Sequence, residues 1–296
     1  MSVMRRRHTA APPEPPQDRL LVPVLAPTGG VGRSVLSYLL AARLAEQART
    51  LVVDAAPGLA SPWDRWLTRP GTGPCIRSSG ESLSAQRLYA SAGQVAAGTG
   101  GTFSVLTTPH EHEGNALAVP ALVRLVETFA PRVALVDTGT PLLRALSADS
   151  SVRMAEPLGW LRVASSTPLL CASASAKGVV DVLNTVNTLQ ERGMSTGRLT
   201  VAVVGIASTV LPRRVQAGLT LLEPQVGAIV RLPHEPRLHG TGAPSLAKAT
   251  PRLRAALDQL LAALVRQPLN PRNPSPMHTA TPTPIAGGAH ALADRH

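Results

Sequence analysis

Aromatic side chains are nearly missing from this chain: phenylalanine, tyrosine and tryptophan make up 2% of its 296 residues. Any core must therefore be built from Ala, Val and Leu, and a hydrophobic content of 44% is enough to build one. Lysine is nearly missing too. Lys177 and Lys248 are its only instances among 29 basic residues, so arginine carries the formal net charge of +11. The two cysteines, Cys75 and Cys171, have no CxxC partner and no histidine at ligand spacing. That pattern argues against a disulfide framework or a zinc site and leaves buried or incidental thiols. No apolar run approaches the roughly 20 residues of a membrane span. No basic amphipathic helix of the membrane-targeting kind follows residue 267. Arg5, Arg6 and Arg7 lead into Pro-rich sequence, not into the apolar core of a signal peptide. The chain reads as cytoplasmic, without integral membrane association.

Residues 1–18 hold Pro12, Pro13, Pro15 and Pro16 and read as a disordered arm; 267–296 read as a disordered Pro- and Thr-rich tail. Residues 19–266 read as one domain without internal repeats. Within it, short Val- and Leu-rich runs alternate with longer helical patterns. Strands are expected at Leu20–Leu25, Leu51–Val53, Phe103–Thr107, Val133–Asp137, Pro168–Ala172, Thr200–Val204 and Ala228–Leu232. Helices are expected at Gly32–Gln47, Ser84–Ala96, Ala116–Phe129 (capped by Asn115), Ala176–Gln190, Pro212–Leu222 and Thr250–Val265. Strands apolar on both faces, separated by helices, predict an α/β fold. The expected form is a doubly wound, mainly parallel seven- or eight-stranded sheet with helices on both faces. In such sheets the chemistry sits at the carboxyl ends of the strands.

The first strand runs into Pro27-Thr28-Gly29-Gly30-Val31-Gly32-Arg33-Ser34 and then into a helix. Glycines let backbone N–H groups approach an anion, and the helix N-terminus adds partial positive charge. Ser34 is placed to offer a hydroxyl to Mg²⁺, and Arg33 stands where a phosphate-loop lysine reaches the β- and γ-phosphates. The competing reading is a tight strand-to-helix turn without a ligand.

The stretch resembles the deviant Walker A motif of the ParA/MinD family of P-loop ATPases, usually K-G-G-V-G-K-T. Residues Thr28 to Ser34 agree at five of seven positions if Ser is accepted for Thr. LVVDAAPG (51–58) resembles the family's second strand and switch I. VALVDTGTP (133–141) resembles its Walker B strand and switch II. Residues 166–189 and 226–238 resemble its later strand and helix and its base-bordering i-P-x-D stretch. The resemblance covers most of 20–266 in the family's order. It implies a cytoplasmic nucleotide switch that forms a nucleotide-dependent homodimer and positions a protein cargo. It also implies ATP or ADP with Mg²⁺ as cofactors. Thr28, Gly29, Gly30, Val31, Gly32, Arg33 and Ser34 would hold the phosphates and metal. Asp137 would order Mg²⁺ through water, Asp54 would lie beside the γ-phosphate, and Pro233, His234 and Glu235 would touch the base.

The sequence departs from that pattern in four places. Thr28 stands where the signature interface lysine belongs, and Arg33 replaces the loop lysine with a planar fork. Ala56 replaces the carboxylate that orients water. Gly205-Ile206-Ala207-Ser208 lacks the asparagine that often reads adenine. Phosphoryl transfer depends on positioned charge, and each comparable deletion costs roughly 10²–10³ in rate. Backbone binding is more robust. The expectation is a switch or scaffold with weak or absent hydrolysis. An active ATPase and an interaction module without nucleotide remain as alternatives.

Other features have two readings. Asp54 lies 22 residues after Gly32, near the spacing of a dinucleotide-binding acid, but Gly29-Gly30-Val31-Gly32 is not GxGxxG and no Tyr-x-x-x-Lys dyad exists. The alternative reading of Asp54 and Asp137 is as caps, of a helix and of a turn. His110 to Asn115 (HEHEGN) reads as a solvated loop, not as a metal motif. Trp63 and Trp66 read as anchors of a loop or, if exposed, as a partner surface. Arg213 and Arg214 read as surface charge, with contact to DNA phosphates as the alternative.

Overall fold

The computed structural model describes residues 19–56, 61–71, 85–107, 119–147, 157–206, 211–238 and 242–266. These form one eight-stranded sheet. Its strands are β1 (Leu20–Leu25), β2 (Thr50–Asp54), β3 (Gly93–Ala96), β4 (Thr102–Thr107), β5 (Val133–Asp137), β6 (Leu169–Ser173), β7 (Thr200–Ile206) and β8 (Ala228–Pro233). The helices are α1 (Arg33–Leu44), α2 (Trp63–Trp66), α3 (Ala85–Ser91), α4 (Val119–Phe129), α5 (Leu142–Ser147), α6 (Ala176–Glu191), α7 (Arg213–Leu222) and α8 (Pro251–Arg266). The spatial order is β3-β4-β2-β5-β1-β6-β7-β8. Every neighbouring pair is parallel except β3 with β4. The expected α/β, doubly wound architecture is present. The order also sets the dinucleotide alternative aside: β5 lies between β1 and β2, which are neighbours in that fold.

Alternate residues of each strand enter opposite cores. Val22, Val24, Val52, Leu135, Leu169, Cys171 and Ala202 face one side, where α1 and α8 cover them. Leu25, Leu170, Ala172, Val201 and Val203 face the other side, under α5, α6 and α7. On that same side Leu51, Val53, Ala134 and Val136 lie under α3 and α4. Burial on both faces explains why β5, VALVD, carries no solvent-facing position. The helices bury single stripes: Leu253, Ala256, Leu257, Leu260, Ala263 and Leu264 on α8, and Val119, Leu122, Leu125, Val126 and Phe129 on α4.

One expected helix is two elements. Residues 84–96 read as continuous helix, but the described part ends at Ser91 and the chain then turns into β3. Gly93–Ala96 pairs with Thr102–Val105 of β4 at the sheet edge. Gln94 also bridges to Arg69, and Val95 is fully buried. Tertiary pairing overrides the local preference for helix here. Helix α1 stops at Leu44, short of Gln47. Cys75, Asn115, the segment 110–115 and both ends of the chain lie outside the described residues.

Helices α6 and α7 pack so closely that Gly218 has no room for a side chain. A Cβ there would stand 2.3 Å from Cγ1 of Val179. Val179 is β-branched on a helix and cannot swing away at low cost. Gly218→Ala raises helix propensity yet overpacks this crossing. Its expected effect is a loss of about 1–3 kcal/mol in urea unfolding. A gain in stability would show that the two helices can separate freely.

Candidate functional site

The glycine loop leaves the sheet at its switch point, where β1 has β5 on one side and β6 on the other. Gly30 and Gly32 have φ of 77° and 85°, a left-handed conformation that L side chains rarely adopt. Gly29 is different. Its φ is not in that region, and a Cβ on it would meet nothing within 4 Å. The chain's own packing does not require glycine at 29. Gly32 is the N-cap of α1, and no side chain caps that helix. The loop thus presents small residues and a helix N-terminus at the carboxyl end of β1, an arrangement suited to an anion.

The base of the loop is pinned from below. The amides of Leu142 and Leu143 donate to the carbonyls of Ala26 and Pro27 at 2.8 and 3.1 Å. The hydroxyl of Thr138 donates to the carbonyl of Val24 at 2.8 Å. On the opposite face the Cys171 thiol donates to the carbonyl of Val31 at 3.4 Å. Burial pushes this thiol up to about 12, with a smaller opposing effect from Arg33, so it stays protonated and unreactive.

Asp54 and Asp137 are register partners at the carboxyl ends of β2 and β5. Both are buried, and each is tied into one chain of hydrogen bonds. Asp54 accepts from the Ala56 amide at 3.1 Å and from the Ser61 hydroxyl at 2.5 Å. Ser61 Oγ accepts in turn from the Trp63 amide at 3.1 Å. The Trp63 indole Nε1 donates to Oδ2 of Asp137 at 2.8 Å. The other oxygen, Oδ1, accepts from Nε of Arg33 at 2.9 Å, and Arg33 Nη2 lies 3.4 Å from the carbonyl of Gly139. The line runs from β2 through the short segment 61–66 and across β5 to the first residue of α1.

Trp63 is held rigidly enough to serve as a donor. It is fully buried in a cluster with Tyr38, Trp66 and Phe103, with ring centroids 5.2–6.3 Å apart. Trp63 and Trp66 are therefore anchors and not an exposed partner surface.

The expected site residues do not all converge. Thr28, Gly29, Gly30, Val31, Gly32, Arg33 and Ser34 form the loop and the first turn of α1. Arg33 turns its guanidinium onto Asp137, and Asp54 turns inward to Ser61. Pro233 ends β8, and His234 is exposed beyond it. Glu235 is buried and accepts from the Thr250 amide at 3.0 Å, just ahead of α8. Thr250 Oγ1 itself accepts from the Leu253 amide at 3.3 Å, so Glu235 supports a helix cap. Arg213 and Arg214 are exposed at the start of α7. Sequence reading passed over Ser61, and it gave Cys171, read as a buried or incidental thiol, and Trp63, read as an anchor, no contact with the loop or its acids. No spacing rule links these to the loop. Only the tryptophan pair signalled that the segment was anchored.

The sequence leads to the expectation of a divalent cation at Ser34 and, through water, at Asp137. Asp137 has no exposed surface, and each of its oxygens already carries a donor. With no exposed surface, this carboxylate meets a metal-bound water only after a neighbouring group has moved.

Comparison of the sequence with protein-family models and with curated proteins finds no match. Solved structures do match the fold. A ParA family ATPase from Chlorobium tepidum aligns over 82% of this chain and 98% of its own, with TM-score 0.59 and 13% identity. A chain of the MinC:MinD cell division protein complex from Aquifex aeolicus aligns over 82% and 96%, with TM-score 0.55 and 16% identity. The septum site-determining protein MinD from Pyrococcus horikoshii, solved with Mg-ADP, aligns over 83% and 94%, with TM-score 0.50 and 14% identity. The chain has the fold of the ParA and MinD ATPases. Among the described residues no helix is long and apolar enough to cross a membrane.

Burial, reinforced by the charge of Asp137 and opposed by the bonds from Ser61 and Ala56, pushes the Asp54 carboxyl up to about 7. Its folded value lies above its unfolded value, so the native state holds the proton longer. The contribution of Asp54 to stability is complete below about pH 4 and is lost as pH rises towards about 7. Asp54→Asn removes this titration. Urea unfolding across that range is expected to show the variant gaining on the parent as pH rises, with the difference constant above about pH 8. Parallel profiles would show that Asp54 stays ionised in the native protein.

Proposed function

We propose that this protein is a cytoplasmic nucleotide-binding switch or scaffold of the ParA/MinD kind. It binds ATP or ADP through Gly29–Ser34, hydrolyses it slowly or not at all, and positions or regulates a protein partner, as a nucleotide-dependent homodimer. Residues 19–266 are its working domain. The observation that carries the reading is the loop itself: left-handed glycines, an unneeded glycine at 29 and an uncapped α1 N-terminus at the switch point of this sheet. The neighbours in fold include a ParA family ATPase and MinD division proteins, and one of them was solved with Mg-ADP.

Weak hydrolysis is supported by the charges around the loop. Arg33 is neutralised by Asp137, Thr28 brings no charge to an interface, and Ala56 offers no carboxylate to a water. A catalyst of phosphoryl transfer needs those charges free and positioned. The same Arg33–Asp137 pair favours a second reading, an interaction module that takes no nucleotide at all.

Thermal unfolding with ATP and with ADP separates the two. At about 100 times Kd a bound nucleotide stabilises by about 2.7 kcal/mol. Gly29→Val is expected to fold like the parent, since open space surrounds its Cβ, and to weaken nucleotide affinity at least about tenfold by blocking the backbone. No stabilisation by either nucleotide would establish the module without nucleotide. Phosphate release well above that of Arg33→Ala would establish an active ATPase.

A further inference from the structure

We propose that Asp137 is committed to Arg33 and Trp63, and that the phosphate loop consequently takes a nucleoside diphosphate without a divalent cation. This rests on the nucleotide-binding reading above. A Walker B carboxylate that serves a metal needs an oxygen open to a metal-bound water. Here Oδ2 is held by an indole that a fully buried aromatic cluster fixes in place. Oδ1 is held by a guanidinium with 15% of its side chain exposed, against 0% for the carboxylate. A buried carboxylate is satisfied only with donors on both oxygens. The two donors lie 74 and 104 residues before Asp137 in sequence, and both dock only in the folded state. Sequence departures agree with this assignment. Arg33 is long and forked enough to reach Asp137 from the start of α1 and still approach the Gly139 carbonyl. Trp63 brings an indole donor, which no aliphatic or phenyl side chain supplies.

The anion then depends on backbone N–H groups of the loop and α1 and not on a bridging cation. Magnesium sequesters ADP in solution without contributing a contact in the site. Its addition is therefore expected to leave affinity unchanged or slightly weaker.

The experiment has two arms on the full chain. Calorimetric titration of ADP is run in excess MgCl₂ and in EDTA. The proposal expects Kd values equal within a factor of about three, or weaker with magnesium; tightening of about tenfold or more by magnesium overturns it. The second arm measures melting of Asp137→Asn and of Trp63→Phe with no nucleotide and no metal. An amide at 137 sets its NH₂ against a buried donor, and phenyl at 63 strips one donor from Asp137. Each is expected to melt about 5 °C or more below the parent. If neither loses stability, Asp137 is not committed to these partners and the proposal is overturned. If ADP binds in neither buffer, the nucleotide-binding reading fails and the metal-free site fails with it; ADP that binds only with magnesium sinks the inference alone.

Discussion

The arrangement around the loop follows from keeping one buried carboxylate satisfied. Asp137 ends a strand whose five residues are all buried, so its charge cannot turn to water. An isolated carboxylate in that position would cost far more than a domain's net stability. Two donors therefore have to be delivered to it, and each delivery fixes a segment of chain. Arg33 fixes the first turn of α1, and with it the far side of the glycine loop. Trp63 fixes the segment 61–66, and through Ser61 it closes over Asp54. Removing one partner from such a pair is expensive even where the pair itself contributes little net stability. The loop geometry and the segment after β2 are thus conditions of the same charge.

The substitutions at 28, 33 and 56 make one pattern. In the ATPases that the sequence resembles, those positions supply cations and a carboxylate to the nucleotide. Here the one retained cation is spent within the fold, and the alanine at 56 gives only its backbone N–H, which caps Asp54. What remains for a ligand is peptide geometry: N–H groups, glycine and a helix end. Under the proposed function such a surface would hold an anion and do little chemistry on it. This suits a protein whose occupied and unoccupied forms matter more than turnover.

Much of the fold was legible because the sheet is buried on both faces. Runs such as LLVPVL and VALVD have no alternation to misread, and β1 and β5 begin and end where the apolar runs do. The edge was harder. Gly93-Gln94-Val95-Ala96 has no strand signal of its own and becomes a strand only through β4, Arg69 and Leu67. The loop and the two acids were legible through order and spacing. The contacts that decide their chemistry were not. Trp63 meets Asp137 across 74 residues and Arg33 meets it across 104, and both depend on rotamers set by packing. Glu235 shows the same limit: a strand-end acid suggests a ligand, while the fold puts it at the head of α8.

The scarcity of aromatic residues has a consequence of its own. Two of the three tryptophans, with one tyrosine and one phenylalanine, stand in the cluster that holds the Asp137 donor; the third tryptophan, Trp160, is buried elsewhere. Outside that cluster only Trp160 and Tyr89 absorb strongly in the near ultraviolet. Trp63 and Trp66 cross at 75° with centroids 5.2 Å apart, near enough for their transitions to couple. The optical spectrum of the whole protein is therefore weighted towards one hydrogen bond's surroundings, a built-in probe that needs no label.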